Sequence, residues 1–157
     1  MTAYTATERR SHLLAGASHG GAYNVINLTA TIELAVSTLG STFTIGYVPS
    51  NARLLGSSRL YSDTLGGSST LDLGIGAVKG NLVNADDPNG LSAGHDVSSA
   101  LSDALVVAAA DMGKPAWDFV ASETVDPGGM VRVYGTVTGA STTVIGTITT
   151  EMNYVVD

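Results

Sequence analysis

Hydrophobic and polar residues alternate along much of this chain with the period of two that a half-buried β-strand requires. Asn24 to Ser37 is the longest such run. Leu28, Ala30, Ile32, Leu34 and Val36 share one face of it, and Thr29, Thr31, Glu33, Ala35 and Ser37 the other. After a turn at Thr38-Leu39-Gly40-Ser41, the stretch Thr42 to Val48 repeats the pattern with Phe43, Ile45 and Tyr47 on one side. The central stretch, Asn51 to Val78, predicts two strands joined as a hairpin through Leu65-Gly66-Gly67-Ser68-Ser69, where glycine supplies the positive φ such a turn needs. In its second strand Leu71, Leu73, Ile75 and Ala77 alternate with Asp72, Gly74, Gly76 and Val78. Gly74-Ile75-Gly76 has no helix after it, so it reads as a place where another backbone comes close and not as a phosphate loop. Met130 to Val137 is a further strand, and Thr143 to Val156 a long Thr-rich one expected to cross most of a sheet.

Between these strands the pattern weakens. Asp87-Pro88-Asn89-Gly90 and Asp126-Pro127-Gly128-Gly129 predict tight turns. Asp96-Val97-Ser98-Ser99 fits a helix cap, and Ala100, Leu101, Ala104, Leu105, Ala108 and Ala109 fit a helical stripe after it, although Leu105-Val106-Val107 also suits a strand. The expected fold is mainly β: an antiparallel β-sandwich or jelly-roll-like domain with at most one short helix, its strand order left open. Residues 1–22 hold Glu8-Arg9-Arg10-Ser11-His12 and Ser18-His19-Gly20-Gly21 with few large aliphatics, and read as a flexible N-terminal arm. The single β domain then spans 23–157.

Composition narrows the function. Hydrophobic residues make up 44% of the 157 residues but charged residues only 13%, against roughly 25% charged in an ordinary globular domain. The polar surface must therefore be built from Ser, Thr, Asn and Gly, which suits burial against neighbouring subunits. Fourteen acidic and seven basic residues give a net charge of −7, which disfavours nucleic acid as a partner. The absence of cysteine excludes disulfides, thiolate metal sites and cysteine nucleophiles. No apolar run is long enough to span a bilayer as a helix, and the N-terminus lacks the layout of a signal peptide, so neither membrane insertion nor classical secretion is expected.

No catalytic constellation emerges. His12, His19 and His95 stand in Gly/Ser/Asp-rich segments without metal-ligand spacing, and no G-x-S-x-G elbow is present. Asp86-Asp87 is the only adjacent carboxylate pair, and neighbours in a Pro/Gly turn diverge too much for glycosidase chemistry. With Asn89 and Asp96 they form a weak candidate for calcium that does not match EF-hand spacing. Neither a cofactor nor a metal is expected, and the chain reads as a protein that is not an enzyme. Trp117 and Phe119 suit core or inter-subunit packing, or a partner platform. Arg53, Arg59 and Arg132 suit ion pairs, within the subunit by default or across an interface. Arg9 and Arg10 fit contacts from the arm to an acidic neighbour. The candidate interface residues are thus Arg9, Arg10, Arg59, Trp117 and Phe119.

Five short motifs carry a resemblance: Ser58-Arg59-Leu60-Tyr61-Ser62-Asp63, Ser69 to Gly74 (STLDLG), Asp86 to Leu91 (DDPNGL), Gly113 to Val120 (GKPAWDFV) and Asp126 to Gly129 (DPGG). In this order, over roughly Val48 to Val137, the chain resembles the head decoration, or cement, proteins of tailed bacteriophages. The resemblance implies a β-rich fold, trimers or dimers at capsid symmetry axes, and binding to the major capsid protein on the outside of the virion. It brings no catalytic residue. A tail, fibre or carbohydrate-binding β module, with Trp117, Tyr61 or Tyr134 facing a glycan, is the alternative.

Overall fold

The computed structural model describes residues 7–12 by their backbone, and residues 25–76, 86–120 and 123–156 in full. The strands are β1 (Thr7–His12), β2 (Ile26–Leu34), β3 (Thr42–Pro49), β4 (Arg53–Leu54), β5 (Arg59–Ser62), β6 (Thr70–Gly76), β7 (Asp87–Asp96), β8 (Leu101–Leu105), β9 (Met130–Thr138) and β10 (Gly146–Val155). They form two antiparallel sheets, ordered β1-β2-β10-β5-β8, with β4 also on β10, and β3-β9-β6-β7. Without β1 and β4, each sheet has four strands, in the orders 2-10-5-8 and 3-9-6-7. That is the winding of an eight-stranded jelly roll, two Greek keys folded face to face. The expected β-sandwich is present, and among the described residues there is no α-helix, only one-turn 3₁₀ segments at Ala109–Asp111 and Ala116–Phe119.

The core lies between the sheets, where alternate side chains of each strand point inward. Leu28, Ile32 and Leu34 of β2 and Ile148 and Met152 of β10 face Phe43, Leu73 and Val133 from the other sheet. β10 is the spine of the first sheet. It pairs with β2 from Gly146–Leu34 to Tyr154–Ile26 and with β5 and β4 along its other edge. β9 holds the same position in the second sheet, between β3 and β6. The long last strand is where its Thr-rich alternation placed it.

Three expectations are corrected. Asn51 to Val78 is not a hairpin: β5 and β6 lie in different sheets, and residues 63–69 cross from one sheet to the other. The cause is Leu65, fully buried, which draws the connection inward over the end of the core instead of letting it turn back on itself. The expected helical stripe after Asp96 is edge strand β8, paired with β5. The Asp96 carboxylate does accept from the Ser98 amide at 2.9 Å, as a cap would. The chain then meets the open edge of β5, and strand pairing there leaves Val106 and Val107 buried beyond it. Asp87-Pro88-Asn89-Gly90 forms the first residues of β7 and does not simply turn. An edge strand tolerates proline because the missing N–H faces no neighbour.

Within the arm, Thr7–His12 is extended and lies antiparallel on β2, Arg9 opposite Thr29 and Arg10 opposite Leu28. β1, not β2, is thereby the outermost strand on this side of the sheet.

Candidate functional site

The outward faces of the sheets are the surfaces available for contact, and the two differ. On the first sheet, Asn27, Thr29, Thr31 and Glu33 of β2 stand beside Thr147, Thr149, Glu151 and Asn153 of β10. They hydrogen-bond to one another: Asn27 Nδ2 donates to Asn153 Oδ1 at 2.9 Å, Thr29 Oγ1 to Asn27 Oδ1 at 2.7 Å, and the Thr31 and Thr149 hydroxyls meet at 3.2 Å. Short polar side chains already bonded to their neighbours lose little rotamer entropy when covered. At the margin of this face Arg59 is committed to its own chain. Its Nε pairs with Asp103 at 2.6 Å, and Nη1 donates to the Gly56 and Ser58 carbonyls at 2.6 and 3.0 Å.

The second sheet carries a more varied cluster. Tyr134 points outward from β9 yet is only 3% exposed. Its cross-strand neighbour is Gly74, where a side chain would collide with the backbone of Asp87 and Pro88. The start of β7 therefore folds over the outside of β6 and shelters the tyrosine, the close backbone approach that Gly74-Ile75-Gly76 announced. The Arg132 guanidinium lies 4.4 Å from the Tyr134 ring centroid and pairs with Asp86 at 2.7 Å. Tyr47, opposite Arg132 on β3, is 39% exposed. Burial, with the nearby Asp86 charge, pushes the Tyr134 phenol up to about 12. Arg132 Nε and Thr136 Oγ1 are buried without a hydrogen-bond partner among the described residues.

Trp117 is half-buried on its 3₁₀ turn, its amide donating to the Ser50 carbonyl at 3.0 Å. Phe119, two residues on, is 5% exposed and belongs to the core, with Lys114 Nζ 6.0 Å from its ring centroid. Arg9 and Arg10 sit on β1, their side chains outside the described residues. The five candidate interface residues do not converge on one patch, since β2 and β10 lie between β1, which carries Arg9 and Arg10, and β5, which carries Arg59, and Trp117 sits at the β3–β4 end.

The possible calcium ligands do not come together either. Asp86 is engaged by Arg132, Asp87 accepts from the Asn89 amide at 3.3 Å, and Asp96 is held by Ser98. The last lies opposite Thr70 and Asp87 opposite Ile75, so the two are about 17 Å apart along β6. Among the described residues no group of three or more His, Asp or Glu is placed to hold a metal, and no helix is long and apolar enough to cross a membrane. His95 Nε2 lies 2.8 Å from Ser92 Oγ, which donates to the Val106 carbonyl; Asp72 is near enough to raise its pKa, but burial outweighs it and the imidazole titrates below its usual range. His12 and His19 fall where side chains are not described.

The Tyr47–Arg132–Tyr134–Asp86 cluster was half visible in the sequence. Alternation puts Arg132 and Tyr134 on one face of β9, but nothing local brings Asp86 over it. In comparisons with protein-family models, with curated proteins and with solved structures, nothing matches this chain.

Proposed function

We propose that the chain is a non-enzymatic structural protein of a bacteriophage virion, binding the outside of the capsid and stabilising the mature shell by bridging major capsid protein subunits. The observation that carries the reading is the hydroxyl and amide ladder of Asn27, Thr29, Thr31, Thr149 and Asn153. It is a broad face whose few charges make it inexpensive to desolvate, and it bears no reactive group. The ordered phage-like motifs between Val48 and Val137 supply the choice of partner. In this reading the protein is made in the host cytoplasm, assembles as a homo-oligomer, a trimer in preference to a dimer, and ends on the capsid exterior. Neither nucleic acid, membrane nor cofactor is required. The mechanism is mass action: a ligand that binds the mature shell but not its disassembled subunits stabilises the shell by RT ln(1 + [L]/Kd) at every site.

Co-sedimentation with mature and immature phage heads tests this. The full chain is expected to pellet with expanded heads, and a chain lacking Met1 to Gly21 to bind them less while retaining its β signature. Binding to neither form of head would overturn the reading, and unchanged occupancy by the truncated chain would remove the arm's role. A second reading, a tail, fibre or carbohydrate-binding module, is favoured by the exposed Tyr47 beside Arg132, Tyr134 and Asp86, an aromatic and charged arrangement suited to a sugar ring. It predicts a glycan-dependent change in intrinsic fluorescence and no affinity for heads.

A further inference from the structure

Four chain connections gather at one end of the sandwich: residues 35–41, 63–69, 97–100 and 139–145. That end carries little charge, with Asp96 of β7 at its margin, its carboxylate accepting from the Ser98 amide and hydroxyl at 2.9 and 2.6 Å. Across all four connections the one ionisable side chain is Asp63, whose carboxylate accepts from the Thr147 amide at 3.0 Å. The opposite end carries Arg53, Asp86, Asp111, Lys114, Asp118 and Arg132. Four exposed aliphatic side chains lie together at this end, Val36 58% exposed, Leu39 59%, Val144 47% and Ile145 59%, while Leu105, Met112, Val125 and Val156 are exposed elsewhere. Single exposed aliphatics are ordinary on a surface, whereas a cluster marks a contact.

These side chains are carried on a rigid base. The β2–β10 ladder ends at Leu34 opposite Gly146, so Val144 and Ile145 come beside Ala35 and Val36 as the strands leave the sheet. Beyond that point the Ser37 amide donates to Thr142 Oγ1 at 2.7 Å, the Thr142 amide to the Ser37 carbonyl at 2.9 Å, and the Leu39 amide to Ser141 Oγ at 3.1 Å. Leu65 plugs the end from below. Its carbonyl accepts from the Thr143 and Val144 amides at 2.9 and 3.0 Å, and its amide donates to the Val97 carbonyl at 2.9 Å. A surface bonded in this way has little freedom left to lose on association.

We propose that this end is where copies of the chain associate, Val36, Leu39, Val144 and Ile145 of one copy packing on the same residues of the next around a rotation axis. Charge selects the occupant. Each copy carries −7, so two copies meeting through their acidic faces repel. At this end the charged groups are Asp63 and, at the margin, Asp96, each already accepting hydrogen bonds from its own chain, so repulsion is weak and few charges lose water on contact. A basic partner would be drawn to the acidic faces instead. A self-complementary patch also closes under rotational symmetry, limiting growth to a small oligomer. The inference supplies the surface for the homo-oligomer in the shell-binding reading, and it stands or falls separately from binding to heads.

The test is the mass of the full chain by sedimentation equilibrium, alone and with Leu39→Lys/Ile145→Lys. The natural sequence is expected at a small multiple of the 15.9 kDa chain, held more tightly as salt screens the net charge. The double variant is expected at the single-chain mass with an unchanged circular dichroism spectrum. Should that variant not fold, Val36→Thr/Val144→Thr, which keeps side-chain shape, is read in the same way. A single-chain mass for the natural sequence at all concentrations, or a multiple that survives the substitutions, overturns the proposal. If the natural chain is monomeric and the substitutions abolish head binding, this end belongs to the shell contact and not to a second copy. An oligomer that the substitutions dissociate but that ignores heads would count against the shell reading alone.

Discussion

The ring of Phe43 on β3 occupies the space where a side chain on its cross-strand partner, Gly135 on β9, would stand. Both face the core, and each fits because of the other. Gly135→Ala is therefore expected to destabilise the domain by about 1–3 kcal/mol through overpacking. In a Phe43→Leu background the same substitution should cost clearly less, because the atoms it strikes are gone. Urea denaturation of the four proteins checks this, and equal costs in both backgrounds would show that the two positions are not coupled.

Stability should fall with acid below the ordinary histidine pKa of 6.5. Burial lowers the folded pKa of His95, with Asp72 opposing. Above 6.5 the ring is neutral in both states; below it the unfolded chain takes up the proton first, and stability declines until the folded ring also protonates. His95→Gln should flatten this part of a plot of urea midpoint against pH.

Tyr134 should ionise well above the ordinary tyrosine range. With its folded pKa raised to about 12 from 10.0, its contribution to stability is complete below pH 10 and is lost as pH rises toward 12. A tyrosinate absorbance titration of Tyr134→Phe is expected to lack a step near pH 12. Loss of an earlier step instead would refute the burial argument.

Ser62 is buried on the inner face of β5, its hydroxyl without a partner among the described residues. Ser62→Ala removes a polar group that lost its water on folding and found no replacement, so stability should rise by about 1 kcal/mol. A fall on thermal or urea unfolding would reveal a partner for the hydroxyl.

How much of this was legible in the sequence depends on the range of the interaction. The inner and outer faces of β2, β6, β9 and β10 follow from alternation alone, and Gly74 signalled a close backbone approach. The crossover at Leu65 did not: a Gly/Ser turn between two strands looks the same whether the second strand returns to the first sheet or enters the other. The edge strand β8 was obscured because Leu101 to Leu105 satisfies a helical stripe nearly as well as a strand, and the open edge of β5 decided between them. Of the candidate interface, Arg59 and Phe119 were recognisable as residues in need of partners, but their partners Asp103 and the core come from elsewhere in the chain.

The sequence by itself determined that this is a β protein of low charge without thiol chemistry, and which residues of β2, β6, β9 and β10 face inward. Those are local properties, set by the pleat of one strand and the chemistry of its side chains. Only the tertiary structure decided the 2-10-5-8 and 3-9-6-7 strand orders, the sheltering of Tyr134 beneath Asp87 and Pro88, and the meeting of four connections of low charge at one end. Strand partners such as β2 and β10 lie more than a hundred residues apart, so they are chosen by the summed burial of both sheets against the entropy of closing the chain between them.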